Sequence, residues 1–362
     1  MKLLNHLQIT RYARHLPLIG QEGQARLLAA KVLCVGAGGL GAPVLQYLAG
    51  AGVGTMGIVD GDSVELSNLQ RQVIFDESDL GKNKAEQAAL HLKALNAEIN
   101  TIVFAEFINL ENAEKMIQDF EIIIDASDNY QTRYLLNDLA VKLKKPLISA
   151  SIYQYQGQCS VFNYKNGPCY RCLYEVPPPS DLIPNCAVGG VLGVLPGILG
   201  CIQATETIKI ILNRNNILSA RLLTVDAMSM QFQEFRIAKN SECPCCHYGK
   251  LSRDLFIPTK ISVPEITPQQ LLDKDEFILV DVREPYERDI CDMGGLHIPL
   301  DELQQRLQLL PQDQEIVLYC KTGGRSRKAV QILLNCGYTK VSSLQGGILA
   351  WIDHVLPTLT RY

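Results

Sequence analysis

The sequence predicts an α/β protein of two domains: a large first one built on a mostly parallel sheet, and a smaller α/β one after it. Three observations carry this. The first 150 residues alternate short apolar runs with helical patterns, the order changes from about residue 157, and beyond a cysteine cluster near residue 241 a second, shorter alternation begins near residue 261. At 362 residues the chain is also long for one core.

The elements follow in order. KVLCV, 31–35, is a strand, followed by glycines and a helix through about Ala51. TMGIVD is the next strand and ends at Asp60. GKNKAEQAALHLKALN, 81–96, has helical spacing and leads to the strand TIVFA. EIIIDA, 121–126, is a buried strand, TRYLLNDLAVKL a helix, and PLISASI the strand after it. From 157 to 236 the segments QCSVFNY, ARLLTVD and FQEFRI are strand-like. LSRDLFIPTK reads as a linker, so the expected division is 1–250, a linker at 251–260, and 261–362. In the last part FILVDV, EIVLYC and VSSL are strands and SRKAVQILLNCG a helix.

Bulk properties exclude some classes. Charged residues are 20% and the hydrophobic set 47%, ordinary for a globular protein. A net charge of −4 gives no reason to expect nucleic-acid binding. MKLLNHLQITRYARH is polar and charged, unlike a signal peptide, and twelve cysteines without an export signal point to metal or thiol chemistry in the cytoplasm. The stretch 187–205 is uncharged but holds five glycines and Pro196 and runs into Glu206 and Lys209. It reads as a Gly-rich loop leading into a buried helix, not a membrane span.

Val35 is followed by Gly36-Ala37-Gly38-Gly39-Leu40-Gly41, a GxGxxG at a strand-to-helix turn, the mark of a Rossmann-like nucleotide site. Asp60 lies 24 residues after Gly36, where a carboxylate accepts from a ribose hydroxyl. A dinucleotide would suit the fingerprint as well as ATP, so an NAD-dependent oxidoreductase is one alternative. It leaves Arg71, Lys84 and Asp128 unexplained. Two cations suit a triphosphate, and a carboxylate after a strand suits Mg²⁺. Taken singly, each of these charges also reads as an ordinary solvated surface group.

GAGGLG, DGDSVELSNLQRQ, GKNKAE and DASDN, in that order, resemble the adenylyltransferase core of bacterial MoeB and ThiF, relatives of ubiquitin-activating enzymes, over about residues 8–248. The resemblance implies that Gly39 lies in the phosphate loop and Asp60 holds the ribose. It implies further that Ser67, Asn68, Leu69, Gln70 and Arg71 line the nucleotide, that Lys84 contacts phosphate, and that Asp128 binds Mg²⁺ with Asn129 beside it. RYARH resembles the family segment whose arginine, here Arg14, reaches the triphosphate of a partner subunit, which implies a homodimer.

Cys169-Tyr-Arg-Cys172 and Cys243-Pro-Cys-Cys246 form a CxxC…CxxC set, and four thiolates satisfy tetrahedral Zn²⁺. The long gap between the pairs leaves free or disulfide-paired cysteines open, and Cys245 and His247 are spare ligands. Structural zinc at matching positions in MoeB-like proteins favours the outer pairs. Cys186 has two readings: a covalent step with a carrier, as in some relatives, or packing. Cys34, Cys159, Cys201, Cys291 and Cys336 read as packing.

Cys320 ends a buried strand and is followed by KTGGRS and a helix starting near Arg325. Backbone N–H groups and the helix start would surround its sulfur, stabilise an anion and suit a persulfide. The loop, with VDVREPYE, GGLHIPL and LQGGILAW around it, resembles a rhodanese domain over about residues 261–362. A dual-specificity phosphatase loop is the competing reading, but Arg325 follows Cys320 by five residues, one short of that spacing.

Together the resemblances imply a fused molybdopterin-synthase adenylyltransferase/sulfurtransferase. Such an enzyme uses ATP and Mg²⁺, carries zinc, and acts on a small ubiquitin-like sulfur carrier supplied by an upstream sulfur donor. A carrier for thiamine or tRNA thiolation is the alternative pathway, and a non-catalytic scaffold the alternative class.

Overall fold

In the computed structural model the chain divides into two compact units, Met1–Ile257 and Pro258–Tyr362. The structure describes residues 4–177, 190–249 and 263–362; Cys186 and the expected linker lie outside them.

The first unit opens with α1 (His6–Arg11) and α2 (Leu16–Ala29), neither visible as an apolar period in the sequence. Asn5 caps α1, accepting from the Gln8 N–H at 2.8 Å. Then come β1 (Lys31–Val35), α3 (Gly41–Ala51), β2 (Thr55–Val59), α4 (Lys84–Leu95), β3 (Asn100–Phe104), α5 (Ala113–Ile117), β4 (Ile122–Asp125), α6 (Tyr130–Lys142) and β5 (Leu147–Tyr153). After them stand β6 (Gln156–Phe162), α7 (Tyr170–Leu173), α8 (Val194–Ile211), β7 (Arg221–Asp226) and β8 (Gln231–Arg236). The eight strands run in the order β3-β2-β1-β4-β5-β6-β7-β8, parallel from β3 to β5 and antiparallel from β5 to β8.

The strand order turns between β1 and β4, and in such sheets ligands bind outside the carboxyl ends at that point. Val35 pairs with Val59 and with Asp125, so the loops after β1, β2 and β4 leave the sheet side by side. Successive residues of β1 feed opposite faces, as a pleated strand requires: Val32 and Cys34 join one buried cluster, Leu33 and Val35 the other.

α8 is the one helix among the described residues long and apolar enough to cross a membrane. Its buried face nonetheless carries Gln203 and Glu206. Gln203 Nε2 donates to the Asp125 carbonyl at 2.8 Å, and Glu206 accepts from the Leu218 N–H at 2.8 Å. Buried polar side chains bonded to the protein's own backbone mark a core helix.

The second unit has a five-stranded parallel sheet, β11-β10-β12-β13-β9. Its elements are β9 (Glu265–Ile266), α9 (Pro268–Leu272), β10 (Ile278–Asp281), α10 (Pro285–Ile290), β11 (Leu296–His297), β12 (Ile316–Tyr319), α11 (Gly324–Asn335), β13 (Val341–Leu344) and α12 (Gly347–His354). A 3-10 stretch, Leu300–Leu309, precedes β12. Two apolar clusters fill the unit, one around Leu318, Val330 and Leu333, the other around Val317, Leu344 and Ile348.

Candidate functional site

The glycine loop after β1 is shaped by close backbone approach. Gly36 has φ 97°, and a Cβ on it would stand 2.6 Å from the Ala126 carbonyl oxygen. A Cβ on Gly41 would stand 2.0 Å from the Gly36 oxygen. Both positions therefore require glycine. Over the loop, Arg71 Cγ lies 3.5 Å from the Cβ position of Gly39, and Gln72 Nε2 lies 3.5 Å from that of Gly38.

Asp60, at the end of β2, faces the same loop. Its carboxylate accepts from the Ala37 N–H at 2.8 Å and the Asp62 N–H at 2.9 Å. Burial pushes this carboxyl up, against the pull of those two N–H groups and of Lys84. Lys84, the first residue of α4, is buried and donates to Asp62 at 3.2 Å. Asn83 ties it in place, its Nδ2 donating to the Asp60 carbonyl at 3.1 Å. Ser67 is exposed and Asn68 buried in a 3-10 turn, Leu69 is half-buried and Gln70 exposed. Arg71 donates to the Ser67 carbonyl at 3.0 Å.

Asp128 and Asn129 follow β4 and are exposed. Asn129 also caps α6, accepting from the Thr132 N–H at 2.8 Å. What holds this loop was not read from the sequence. Asp125 is fully buried and accepts from Ser127 Oγ at 2.5 Å, Ser149 Oγ at 2.6 Å and Arg133 Nε at 3.0 Å. Arg133 also donates to the Ser127 carbonyl at 3.2 Å. The carboxylate and guanidinium thus fix the backbone one residue before Asp128. A detectable signal existed, namely Asp125 and Ser127 two apart with an arginine in the following helix. Arg14 is exposed between α1 and α2.

Cys169, Cys172, Cys243 and Cys246 form a second group, all four sulfurs within 4.8 Å of one another. The contacts 169–172, 169–243 and 172–246 are 3.9, 3.5 and 3.5 Å, and all four thiols are free. Tetrahedral zinc at about 2.3 Å from each sulfur sets S···S separations of about 3.8 Å, so the group fits. Cys245 packs beside Cys169 and Cys243 but falls outside this set of four, its sulfur accepting from Asn137 Nδ2 at 3.7 Å, and His247 packs against Tyr248 at 4.6 Å. Behind the group, Arg171 makes a buried two-point pair with Asp138 at 2.7 and 2.9 Å. Of the five cysteines read as packing, Cys34, Cys159 and Cys291 are buried and Cys201 partly so; Cys336, at the end of α11, is exposed instead.

In the second unit Cys320 follows β12 and is 1% exposed. Its sulfur accepts from the Gly323 N–H at 3.2 Å and the Ser326 N–H at 3.4 Å. Gly323 caps α11 with φ 94°, a left-handed conformation that turns its N–H onto the sulfur. Ser326 Oγ donates to the Gly323 carbonyl at 3.1 Å and closes the turn. Such a cradle stabilises a thiolate or a persulfide anion.

Arg325 meets Glu287 in a two-point pair of 2.5 and 2.6 Å. This occupies the fork that a phosphatase would turn to phosphate. Burial raises the Glu287 carboxyl, but the hydrogen bonds from Arg325 outweigh it and the net position is below the usual carboxylate value. A lowered folded value means the pair stabilises the unit above the ordinary glutamate range and is lost as pH falls through the folded value. The wild-type second unit should therefore lose stability on acidification below that range, and Glu287→Gln should flatten this part of the profile. Thermal unfolding against pH reads it, and an unchanged profile in Glu287→Gln would remove the pair from the acid response.

Comparison with known proteins adds three findings. The ThiF family matches residues 12–245 and the Rhodanese-like domain matches residues 268–354. A probable adenylyltransferase/sulfurtransferase MoeZ of Mycobacterium tuberculosis is 40% identical over 381 residues, covering 99% of this chain and 96% of that protein. The adenylyltransferase and sulfurtransferase MOCS3 of Xenopus laevis is 38% identical over 405 residues, covering 99% and 89%. Among solved structures, E. coli MccB with MccA-N7isoASN superposes with a TM-score of 0.59 at 23% identity, covering 66% of this chain and 74% of that one. That likeness is one of fold.

Proposed function

Because this chain belongs to the ThiF family and carries a rhodanese-like domain after it, we propose that it adenylylates the C-terminal glycine of a small ubiquitin-like sulfur carrier and then passes sulfur to it from Cys320. The observation that carries this reading is the Cys320 sulfur held by two loop N–H groups, on the same chain as a glycine loop faced by Asp60 and Arg71, with Lys84 on the neighbouring Asp62.

In the first step a carboxylate oxygen of the carrier forms a bond to the α-phosphorus of ATP, the bond to the bridging oxygen breaks, and pyrophosphate leaves. The nucleophile is already an anion near neutral pH, so no strong base is needed, only positioning and neutralised charge. The loop from Gly36 through Gly38, Gly39 and Gly41 receives the phosphates, Asp60 the ribose, and Ser67 to Arg71 the rest of the nucleotide. Lys84 meets phosphate. Asp128, with Asn129 beside it, would hold Mg²⁺, which when bound neutralises phosphate charge. Arg14 reaches the triphosphate of a second copy in a homodimer.

In the second step the outer sulfur of a Cys320 persulfide attacks the acyl carbon and AMP leaves. The product is an acyl disulfide between carrier and Cys320. A thiolate then attacks the Cys320 sulfur, the S–S bond breaks, and the carrier departs as a thiocarboxylate. That thiolate belongs to Cys186 or to a small thiol and is left in a disulfide with Cys320. A further thiol, oxidised in the exchange, cleaves this disulfide and frees the Cys320 thiol, to which an upstream persulfide donor passes its outer sulfur. The pathway favoured is molybdopterin synthesis, with thiamine and tRNA thiolation as the alternatives, in the cytoplasm.

Zinc is assigned to Cys169, Cys172, Cys243 and Cys246 on the sulfur spacing. Purified protein should carry about one zinc per chain, and Cys246→Ser should lose the metal and much of the stability. Elemental analysis of that variant decides it, since full occupancy would make Cys245 or His247 the fourth ligand. The proposed function itself is tested by ATP–pyrophosphate exchange with a candidate carrier. Exchange that appears only with the carrier supports it; none with any ubiquitin-like carrier returns the chain to a binding scaffold.

A further inference from the structure

Lys321 of the Cys320 loop and Arg283, which follows β10, meet on one side chain, Tyr362. Its hydroxyl accepts from an Arg283 N–H at 2.5 Å and donates to Glu287 Oε1 at 3.3 Å. Glu287 in turn clamps Arg325. The opposite contact is made by the ring, with Lys321 Nζ 4.6 Å from its centroid. The ring is seated against the apolar cluster of Tyr319, Ile348 and Ile352. Burial raises the hydroxyl to about 12, against the pull of Arg283, so it keeps the proton it gives to Glu287 at neutral pH.

The charges in this corner are unevenly shared. Arg283 is paired with buried Asp281, and Arg325 with Glu287. Among the ion pairs of the described residues, Lys321 has none, and the Tyr362 ring is its cation–π partner. Lysine is a point charge on a four-carbon stem, and a fixed aromatic face restricts where that charge can be. An ammonium ordered in advance binds an anion at a lower entropic cost than a free one.

We infer that Tyr362 is a positioning residue for the sulfur-transfer loop, its ring holding Lys321 as the binding group for an anionic sulfur donor. Its hydroxyl meanwhile fixes the carboxylate that clamps Arg325. This rests on the reading of Cys320 as the sulfur-carrying residue.

The test is steady-state thiosulfate:cyanide sulfur transfer by the full chain, with KM for thiosulfate and kcat separated. Tyr362→Leu should raise the thiosulfate KM roughly three- to tenfold and keep kcat within about twofold, the scale of a lost cation–π contact. Tyr362→Phe, which keeps the ring, should stay within about twofold of wild type in KM. Lys321→Ala should raise KM as much as Tyr362→Leu, and the double variant no further, because both remove the same contact. An unchanged KM in Tyr362→Leu, or two single effects that multiply in the double variant, would overturn the inference. If Tyr362→Leu does not fold, Lys321→Ala decides alone, with an unchanged KM counting against it. Cys320→Ser in the same assay keeps the two readings apart: activity remaining there would refute Cys320 as carrier, whatever the Tyr362 variants show.

Discussion

Asp128→Ala should abolish carrier-dependent ATP–pyrophosphate exchange, a fall of roughly a hundredfold or more, with the fold intact. Asp128 is exposed and makes its case by position, in the loop that follows β4 at the turn of strand order. The loop's shape does not depend on it. Asp125, Ser127, Ser149 and Arg133 hold the backbone beneath. Removing the Asp128 carboxylate therefore takes away charge for Mg²⁺ without opening the core. Exchange is read with labelled pyrophosphate, and thermal unfolding checks the fold. Exchange near the wild-type rate would take Asp128 out of the site.

The second large effect is expected at Cys320. Cys320→Ser should keep carrier adenylylation within about twofold of wild type and form no thiocarboxylate, because a hydroxyl cannot carry the transferable sulfur. Cys320 belongs to the second compact unit, and the residues proposed to bind ATP belong to the first. Its sulfur sits on the Gly323 and Ser326 N–H groups, and serine keeps the shape of that turn. Cys186→Ser is the comparison. If Cys186 cleaves the acyl disulfide, its loss should stall turnover after the persulfide has reacted; if it is packed, turnover should be nearly normal.

The strands and the glycine loop were legible because their signals are local. KVLCV, TMGIV and EIIID are short apolar runs bounded by glycine or acidic residues, and each became a strand at the expected place. The two CxxC pairs were visible by spacing, the resemblance favoured their outer four cysteines, and the structure brings those four sulfurs together. What the sequence hid depends on long-range contact. Arg133 lies on α6 in a polar-looking pattern, and only folding brings it to Asp125 and Ser127. β9 and β11 have two residues each, too short for any period to appear. Tyr362 meets Lys321 and Glu287 from dozens of residues away, so no window of sequence contains the contact.

The most direct measurement of the central claim, one chain performing both activation and sulfur transfer, is the intact mass of the carrier. The carrier is incubated with the enzyme, ATP, Mg²⁺, a thiol and a sulfur donor, and weighed. The wild-type enzyme should add about 16 Da, the difference between sulfur and oxygen at an acyl centre. The gain should require ATP and vanish with Cys320→Ser or Asp128→Ala. The same gain made by the Cys320→Ser enzyme would contradict the persulfide route.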